Sequence, residues 1–572
     1  MEGEAVPRDI LVDLEEAEIS NVREVLFDTT RTLPQALRNT WQGMGNSVAM
    51  THGYTGRQLR FSELLEAVNR LANAFHAEGL RQGQAILVLA HSSLEVYMAL
   101  FAAWFIGCVT VLASSSWSFA YPFPHSITPK SKLDGEGTIS KVLERCKMEF
   151  VIADGTSISL VTKLADLTHA NFKRIFYTDD PLSIPMMLQS CSGEQLTDIG
   201  FPVECHPEDV LFVAFTSATT GEPKPVPVTH FSFLAMTAVS LDCGLYGTDK
   251  HLLVWAPPHH IAGITVTTAS MLCGARIVVV PERTAHMDPH QIAFICENHK
   301  VNCLIGCSDF ISGLLQRNLR HCFEGISSVV TTGYSPEQGR LREMREFFSL
   351  REEVKIAYGT TETIGPVLIS SQAESPPMKA VPLPHFKVRV VNSRNEPVAP
   401  GFEGEILIKG TFVASAYWSG TSREGDEPHD DVCQWNNDNF TSDGWFRTGD
   451  LGLYNEYGHV TVIGQMQDVI PLDKHRIHCS LLEEFFLEHE AVREVKVVAV
   501  PRENGLEVIA CIVPDPGTPD AVLLADLYDA IDSSAFPVNR VHRVFLFDDL
   551  PRTAWRRPSR RILISQLRTT SL

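Results

Sequence analysis

The segment Val96–Ala113 restricts the fold of this chain more than any other part of its sequence. It is a run of 18 mostly apolar residues, which is at the lower limit of what spans a bilayer. Gly107 divides it into a helix-like first half and a strand-like second half, Cys108–Leu112. Because strands of parallel sheets are buried on both faces, the run predicts a buried helix followed by a buried parallel strand rather than a transmembrane segment.

Helix-like and strand-like segments alternate around this run and further along the chain. Phe61–Glu78 has apolar residues three and four apart, and the strand-like Ala85–Leu89 follows it. The alternation recurs at Ala293–His299, Cys303–Ile305 and Phe310–Arg317, predicted as helix, strand and helix. This order predicts a mostly parallel sheet with helices on both faces, and therefore an α/β fold.

The character of the sequence changes near residue 387. Short strand-like segments separated by turns predict a small β-barrel or distorted sheet at Phe386–Val391, Glu405–Lys409 and His459–Ile463. Gly420–Asn439 is polar, acidic and rich in turn residues, so it is predicted to be a surface loop.

The chain after Gly464 has the length of a separate domain of about 110 residues. Its predicted elements are a helix near Ser480–His489, strands at Val495–Val500 and Leu506–Val513, and a helix at Ala521–Ile531. We therefore divide the 572 residues into domains 1–463 and 464–572.

Charge and cysteine content exclude several classes of function. The net charge is 48 − 69 = −21, and an acidic surface repels nucleic acid and anionic membranes. The 13 cysteines are scattered and show no metal-binding spacing, which indicates reduced thiols in a cytosol-like compartment. Met1–Asp13 lacks the order of a signal peptide, and Thr570-Ser571-Leu572 lacks the lysine of a peroxisomal address, so a cytoplasmic location is predicted.

A polar loop follows the short apolar strand Val210–Phe215. It reads T-S-A-T-T-G-E-P-K-P at Thr216–Pro225. Its hydroxyl and backbone N–H groups can donate to phosphate oxygens, and Lys224 adds a positive charge. The spacing is not that of a P-loop. Taken alone, the segment fits a phosphate-binding loop and an ordinary Ser/Thr-rich loop equally well.

Six further motifs follow the loop in order. They are P-P-H-H-I-A-G at Pro257–Gly263, T-T-G-Y-S at Thr331–Ser335, Y-G-T-T-E-T at Tyr358–Thr363, G-F-E-G-E-I at Gly401–Ile406, D-G-W-F-R-T-G-D at Asp443–Asp450 and L-P-R-T at Leu550–Thr553. Together with the loop they resemble the signatures of the adenylate-forming superfamily of acyl- and aryl-CoA synthetases, beetle luciferases and adenylation domains. The resemblance covers essentially the whole chain. It implies a large N-terminal domain of two parallel-sheet α/β subdomains plus a small β-barrel subdomain, followed by a small mobile α+β C-terminal lid.

The resemblance also implies a site for ATP and Mg²⁺. The residues that it places at the nucleotide are Thr216, Ser217, Thr219, Thr220, Gly221, Lys224, Thr332, Gly333, Tyr334, Tyr358, Gly359, Thr360, Asp450 and Gln465. Tyr358 offers a flat face for adenine, although a core aromatic is the alternative, and Asp450 is placed at the ribose hydroxyls. Thr361 can donate to the α-phosphate, and Glu362 is a carboxylate of the kind that holds Mg²⁺. His260 is placed at the acyl pocket, with a buried core histidine as the alternative.

The implied reaction joins a carboxylate to AMP and releases pyrophosphate, after which the acyl group passes to a thiol such as coenzyme A.

The chain departs from the family pattern in its loop, where Ala218 and Pro225 replace glycines and predict a stiffer loop. It departs again near the start of the lid, where Gln465 replaces the ribose-contacting arginine, cations become Gln467 and Pro471, and Lys474 falls near a usual glycine. At the C-terminus Arg557 replaces the family's catalytic lysine, and arginine is a planar, bulkier cation.

Three functions stay open on the sequence. The first is an ATP-dependent carboxylate ligase of the acyl- or aryl-CoA synthetase class, with Arg557 as the lid cation. The second is a catalytically impaired homologue that binds ATP or an acyl-adenylate as a regulator or scaffold. The third is an adenylation protein that passes acyl-AMP to a carrier-protein thiol.

Overall fold

The computed structural model describes most of the chain. The described residues are 9–114, 141–143, 145–146, 148–168, 171–181, 183–190, 202–217, 223–281, 288–333, 338–352, 354–370, 380–420, 430–472, 475–502, 505–515, 517, 519–551 and 558–569. Their contacts form a larger unit and a smaller one, and the smaller unit consists mainly of Val462–Leu572. The predicted domain boundary between residues 463 and 464 stays a prediction.

The part of the chain up to Gln465 contains the following elements. Its strands are β1 (Ile10–Asp13), β2 (Glu18–Asn21), β3 (Val48–His52), β4 (Gln58–Arg60), β5 (Ala85–Leu89), β6 (Val109–Leu112), β7 (Phe150–Ala153), β8 (Arg174–Tyr177), β9 (Val210–Phe215), β10 (Pro225–Thr229), β11 (His251–Val254), β12 (Arg276–Val279), β13 (Cys303–Cys307), β14 (Ser328–Thr332), β15 (Lys355–Tyr358), β16 (Leu368–Ser370), β17 (Ala380–Pro382), β18 (Phe386–Val391), β19 (Gly404–Gly410), β20 (Phe446–Tyr454) and β21 (Val460–Gln465). Its helices are α1 (Leu33–Met44), α2 (Phe61–Ala77), α3 (Leu94–Phe105), α4 (Ile158–Thr168), α5 (Ile184–Ser190), α6 (His230–Asp242), α7 (Ile261–Leu272), α8 (Pro289–His299), α9 (Ser308–Gly313), α10 (Gln338–Phe347) and α11 (Asp430–Asn439).

Two sheets organise these elements. The first has the order β10-β9-β6-β5-β7-β8 and is parallel except for the β9–β10 pair. The second has the order β1-β2-β18-β19-β20-β21-β17-β16-β15-β14-β13-β11-β12-β3-β4, and its strands from β15 through β3 are parallel. The predicted barrel or distorted sheet is an antiparallel extension of this second sheet. The predicted α/β fold is confirmed.

The apolar run Val96–Ala113 forms the core of the first sheet. In α3 every residue except Glu95 is buried, and β6 is buried throughout between β5 and β9. Trp104 donates from its indole Nε1 to the Thr110 hydroxyl at 2.9 Å, which ties the helix to the strand. The predicted buried helix and parallel strand are therefore confirmed. No helix in the described ranges is long and apolar enough to cross a membrane.

Two predicted elements are wrong. Residues 430–439 of the predicted surface loop Gly420–Asn439 form α11, since Asp430 and Asp431 favour a helix N-terminus and Val432 packs into a small apolar cluster. The predicted helix Phe310–Arg317 is instead α9 followed by a 3₁₀ helix at Arg317–Phe323. It ends early because the amides of Leu314 and Leu315 bond carbonyls three residues back, which tightens the last turn.

The smaller unit contains β22 (Val469–Leu472), β23 (His475–His478), α12 (Cys479–Leu487), β24 (Val492–Arg502), β25 (Gly505–Pro514), α13 (Asp520–Ser533), β26 (Arg543–Leu546) and α14 (Arg560–Thr569). Its three-stranded sheet β24-β25-β26 carries apolar clusters on both faces. Glu483, buried in α12, accepts from Arg560 and Lys496 at 2.7 and 2.9 Å. These are the α+β elements predicted for the C-terminal domain. All twelve cysteines within the described ranges are free thiols, as predicted.

Truncation of Leu100 in α3 tests the buried position of this helix. Leu100 has no exposed surface, so Leu100→Ala leaves a cavity, and we expect the free energy of unfolding to fall by about 2–5 kcal/mol. The matched control is Leu241→Ala in α6, where the side chain is 45% exposed. This control is expected to lower the free energy of unfolding by about 0.5 kcal/mol. Urea unfolding followed by tryptophan fluorescence measures both. Equal losses in the two variants would contradict the placement of α3.

Candidate active site

Several predicted site residues lie at the carboxyl ends of neighbouring parallel strands. In the register of the second sheet, Thr332 at the end of β14 is opposite Cys307 in β13 and Ala357 in β15. Gly333 follows Thr332 directly, and Tyr358 is the last residue of β15. The carboxyl edge of such a sheet is where α/β proteins bind ligands. Tyr358 is only 4% exposed, so its predicted stacking on adenine stays a prediction beside its role in the core.

A tight turn after β15 presents Glu362. A Cβ atom on Gly359 would lie 2.1 Å from the carbonyl oxygen of Gly365, so only glycine fits at the start of this turn. The Thr363 hydroxyl accepts from the Thr360 amide at 2.9 Å and lies 2.8 Å from the Gly365 carbonyl oxygen. Gly359 and Thr363 therefore fix the backbone conformation of the turn that carries Glu362.

Glu362 is buried and has a phenolic partner. The Tyr417 hydroxyl donates to Glu362 Oε1 at 2.8 Å, and both side chains are less than 10% exposed. Burial, followed by the charge of Glu362 and its hydrogen bond, raises the pKa of Tyr417 far above its ordinary value. The phenol therefore keeps its proton and serves the carboxylate as a donor.

Lys224 lies near Glu362 and Tyr417 and interacts electrostatically with both. Its Nζ donates to Asn439 Oδ1 at 3.0 Å and lies 5.2 Å from the centre of the Tyr417 ring, within cation–π range. Burial lowers the pKa of Lys224, whereas the negative charges of Glu362 and Asp438 oppose that shift. The predicted site residues Lys224 and Glu362 are thus brought together.

The two ends of the predicted phosphate loop are joined by its own hydrogen bonds. The Thr216 amide donates to the Lys224 carbonyl oxygen at 3.0 Å, and the Lys224 amide donates to Thr216 Oγ1 at 2.9 Å. Pro225, predicted as part of the loop, is instead the first residue of β10 and is paired with Phe215. Its carbonyl oxygen accepts a hydrogen bond from the Trp418 amide at 2.8 Å. Ser217 is the last described residue before Pro223.

Several predicted residues lie outside the described residues. They are Ala218, Thr219, Thr220, Gly221, Tyr334, Lys474 and Arg557. Their roles stay predictions. The same holds for the ribose contacts of Asp450, which lies in β20, and Gln465, which ends β21 and accepts from Gln467 Nε2 at 2.9 Å.

The residues around Glu362 fit a metal-bound phosphate. Carboxylate and phosphate oxygens are the ligands that Mg²⁺ prefers. Within the described part of the chain, the buried Thr360 Oγ1 has no hydrogen-bond partner. Because buried hydroxyls are almost always bonded, this atom is available to a phosphate oxygen. Thr361, half-buried between Thr360 and Glu362, is predicted to donate to the α-phosphate.

The two histidines after β11 have different environments. His260 caps α7, its Nδ1 accepting from the Ala262 amide at 3.0 Å, and its predicted place at the acyl pocket stays a prediction. His259 is buried, and burial, followed by the charges of His260 and His91, lowers its pKa to about 3. A Cβ atom on Gly263 would lie 2.0 Å from the Pro257 carbonyl oxygen, which explains the motif glycine as a close backbone approach.

Tyr417 and Asn439 were missed by sequence reasoning. Tyr417 lies 55 residues after Glu362, and Asn439 lies 215 residues after Lys224. The sequence indicates only that a buried carboxylate and a half-buried ammonium need partners. It does not indicate which distant side chains supply them.

Comparison with known proteins decides the family. The model of the AMP-binding enzyme family matches residues 37–418, and that of the AMP-binding enzyme C-terminal domain matches residues 481–555. This chain belongs to the AMP-binding enzyme family. The match confirms the predicted superfamily and its adenylate-forming, CoA-ligase-like class.

Relatives and solved structures of the family cover nearly the whole chain. A 4-chlorobenzoate–CoA ligase of an Arthrobacter species is 26% identical over 534 residues, 90% of this chain and 92% of that protein. The structure of the anthranilate CoA ligase AuaEII with anthranoyl-AMP is 17% identical with a TM-score of 0.78, covering 94% of this chain and 98% of that one. O-succinylbenzoate coenzyme A synthetase (MenE) of Bacillus subtilis, solved with ATP and magnesium, is 21% identical with a TM-score of 0.71, covering 92% and 98%. These structures show that the fold is shared.

Removal of the Tyr417 hydroxyl tests the buried hydrogen bond to Glu362. Tyr417→Phe leaves a buried carboxylate oxygen without this donor, so we expect the free energy of unfolding to fall by about 1–3 kcal/mol. Tyr54→Phe is the matched control, because the Tyr54 ring is 44% exposed and loses about 0.5 kcal/mol or less. Urea midpoints of the two variants and the parent chain give the result. A loss for Tyr417→Phe no larger than that of the control would show that the bond is absent.

The buried His259 predicts a loss of stability in acid. Its pKa is about 3 in the folded chain and about 6.5 in the unfolded chain, so between these values only the unfolded state takes up the proton. Neutral His259 makes its full contribution to the free energy of unfolding above pH ~6.5. This contribution falls by about 1.4 kcal/mol per pH unit as the pH decreases toward 3. His259→Phe reduces this slope in urea titrations between pH ~4.5 and ~6.5, whereas exposed His290→Gln does not. The same slope in parent and His259→Phe would refute the assignment.

Proposed function

We propose that this chain activates a carboxylic acid with ATP and transfers the acyl group to a thiol, most simply that of coenzyme A. The observation that carries the proposal is the burial of Glu362 beside Lys224 in a motif turn of an AMP-binding enzyme. A site that holds opposite charges away from water suits the charge that grows on phosphorus during adenylation.

The first step joins the acid to AMP. A carboxylate oxygen attacks the α-phosphorus of ATP, the bond from that phosphorus to the bridging oxygen breaks, and pyrophosphate leaves. Lys224 and the hydroxyls of Thr216, Ser217, Thr219, Thr220, Thr360 and Thr361, with the amide of Gly221, are proposed to hold the phosphates. Glu362 would hold Mg²⁺, which supplies positive charge to the phosphate oxygens.

The remaining predicted residues position the other parts of the substrates. Thr332, Gly333, Tyr334, Tyr358 and Gly359 are proposed to form the adenine wall, and Asp450 and Gln465 to contact the ribose. The proposed acyl site is next to His260. From the family resemblance, Arg557 is proposed as the lid cation that replaces the usual lysine.

The second step transfers the acyl group. The thiol sulfur attacks the acyl carbon, AMP leaves with the former carboxylate oxygen, and the thiol proton passes to solvent. Coenzyme A is the proposed acceptor, and a carrier-protein thiol is the alternative.

The altered lid residues Gln465, Pro471 and Arg557 favour a second candidate, a chain that binds ATP without turnover.

Pyrophosphate release by the purified chain tests the proposal. We expect release with ATP, Mg²⁺ and at least one acid from a panel of aromatic and aliphatic carboxylates, and consumption of coenzyme A with that acid. Release without thiol consumption would assign the acceptor to a carrier protein. If no acid gives pyrophosphate release while ATP still raises the melting temperature, the proposed ligase activity is refuted and the second candidate, ATP binding without turnover, is supported.

Matched variants test the residues. Lys224→Met and Glu362→Gln are expected to abolish the ATP-dependent rise in melting temperature and to lower pyrophosphate release about a hundredfold or more. Exposed Lys173→Met and Glu456→Gln are the controls and keep both. An unchanged ATP-dependent shift in the first pair would refute the site assignment.

A further inference from the structure

Three side chains that are able to bind a metal ion lie together on the surface of the larger unit, and none of them belongs to the proposed nucleotide site. Glu297 lies in the last turn of α8, and His321 and Cys322 lie in the 3₁₀ helix Arg317–Phe323. Glu297 and His321 are exposed and Cys322 is half-buried, so solvent reaches the group. Among the described residues, this is the group of histidine, cysteine and acidic side chains whose geometry suits a metal ion.

The ligand atoms are already close enough to share one ion. One ligand atom from each residue lies within 4.8 Å of the other two, and Cys322 Sγ is 3.3 Å from His321 Nε2. With Zn–S near 2.3 Å and Zn–N near 2.0 Å, sulfur and nitrogen ligands of a tetrahedral zinc ion lie about 3.5 Å apart. The pair therefore needs only a small adjustment to bind zinc.

The third ligand is also in place. Glu297 offers a carboxylate oxygen within 4.8 Å of the Cys322 sulfur and of a His321 ring nitrogen. A divalent ion in this position would replace the proton of the Cys322 thiol and bind the sulfur together with the Glu297 carboxylate oxygen.

We propose that Glu297, His321 and Cys322 bind one divalent transition-metal ion. The set of one sulfur, one nitrogen and one oxygen suits Zn²⁺, whereas Mg²⁺ and Ca²⁺ prefer oxygen ligands alone. Three protein ligands leave the fourth position of a tetrahedral ion to water. The ion links α8 to the 3₁₀ helix, and these two segments bracket β13 and α9 in the chain. The proposal does not depend on the proposed enzymatic function.

Two arginines lie near the proposed metal ligands. Arg317 and Arg320 line the adjacent cleft together with His321 and Glu324. Arg320 directs its guanidinium to the Glu346 carbonyl oxygen at 2.9 Å and to Ser349 Oγ at 3.1 Å. Glu297 and the Cys322 thiolate would supply two negative charges to a divalent cation, so the bound group would be close to neutral.

Cobalt and zinc titrations of the chelator-treated full chain test this proposal. With Co²⁺ we expect one equivalent to bind and to give the thiolate-to-cobalt charge-transfer band and the visible bands of a four-coordinate ion. Zn²⁺ is expected to displace the cobalt and remove these bands. The charge-transfer band reports a cysteine ligand directly, and it is independent of enzymatic activity.

Variants identify the ligands. Cys322→Ser is expected to abolish the charge-transfer band, and His321→Asn and Glu297→Gln to keep it while weakening zinc binding about tenfold or more. Cys205→Ser, a half-buried thiol elsewhere, is the control and retains the band. Binding without a charge-transfer band, a band that persists in Cys322→Ser, or unchanged zinc affinity in the His321 and Glu297 variants would overturn the proposal.

Discussion

A buried carboxylate in this chain must be matched by donors and positive charge, because an unpaired charge inside a protein costs several kcal/mol. Glu362 meets this requirement through the hydroxyl of Tyr417 and the nearby ammonium of Lys224. Lys224 is held in turn by Asn439. These four side chains come from segments far apart in sequence, so the surrounding fold must bring them to one place.

The parallel sheet and one glycine turn provide that placement. The carboxyl ends of β13, β14 and β15 lie side by side, and the turn after β15 closes where a Cβ on Gly359 would collide with Gly365. The β9–β10 pair brings Thr216 against Lys224, where one main-chain hydrogen bond and one bond to the Thr216 hydroxyl join them. Local backbone constraints therefore fix each charged side chain on its own segment, and the packing of the fold brings the two together.

The parts of the fold that depend on local pattern were predictable from sequence. The bounds of β5, β9 and β18 match their apolar segments, and Gly107 marks the change from helix to strand. Prediction failed at α11. The acidic residues Asp430 and Asp431 were interpreted as part of a loop, whereas they form the first turn of this helix. It also missed Tyr417 and Asn439, as well as the grouping of Glu297 with His321 and Cys322, because these contacts depend on tertiary packing that no short pattern encodes.

The most direct test of the central claim is a crystal structure of the chain with a non-hydrolysable ATP analogue and Mg²⁺. The predicted result is a triphosphate beside Thr360 and Lys224, with a carboxylate oxygen of Glu362 bound to the metal ion and the Tyr417 hydroxyl still bonded to that carboxylate. A nucleotide bound elsewhere in the molecule, with no ion at Glu362, would contradict it.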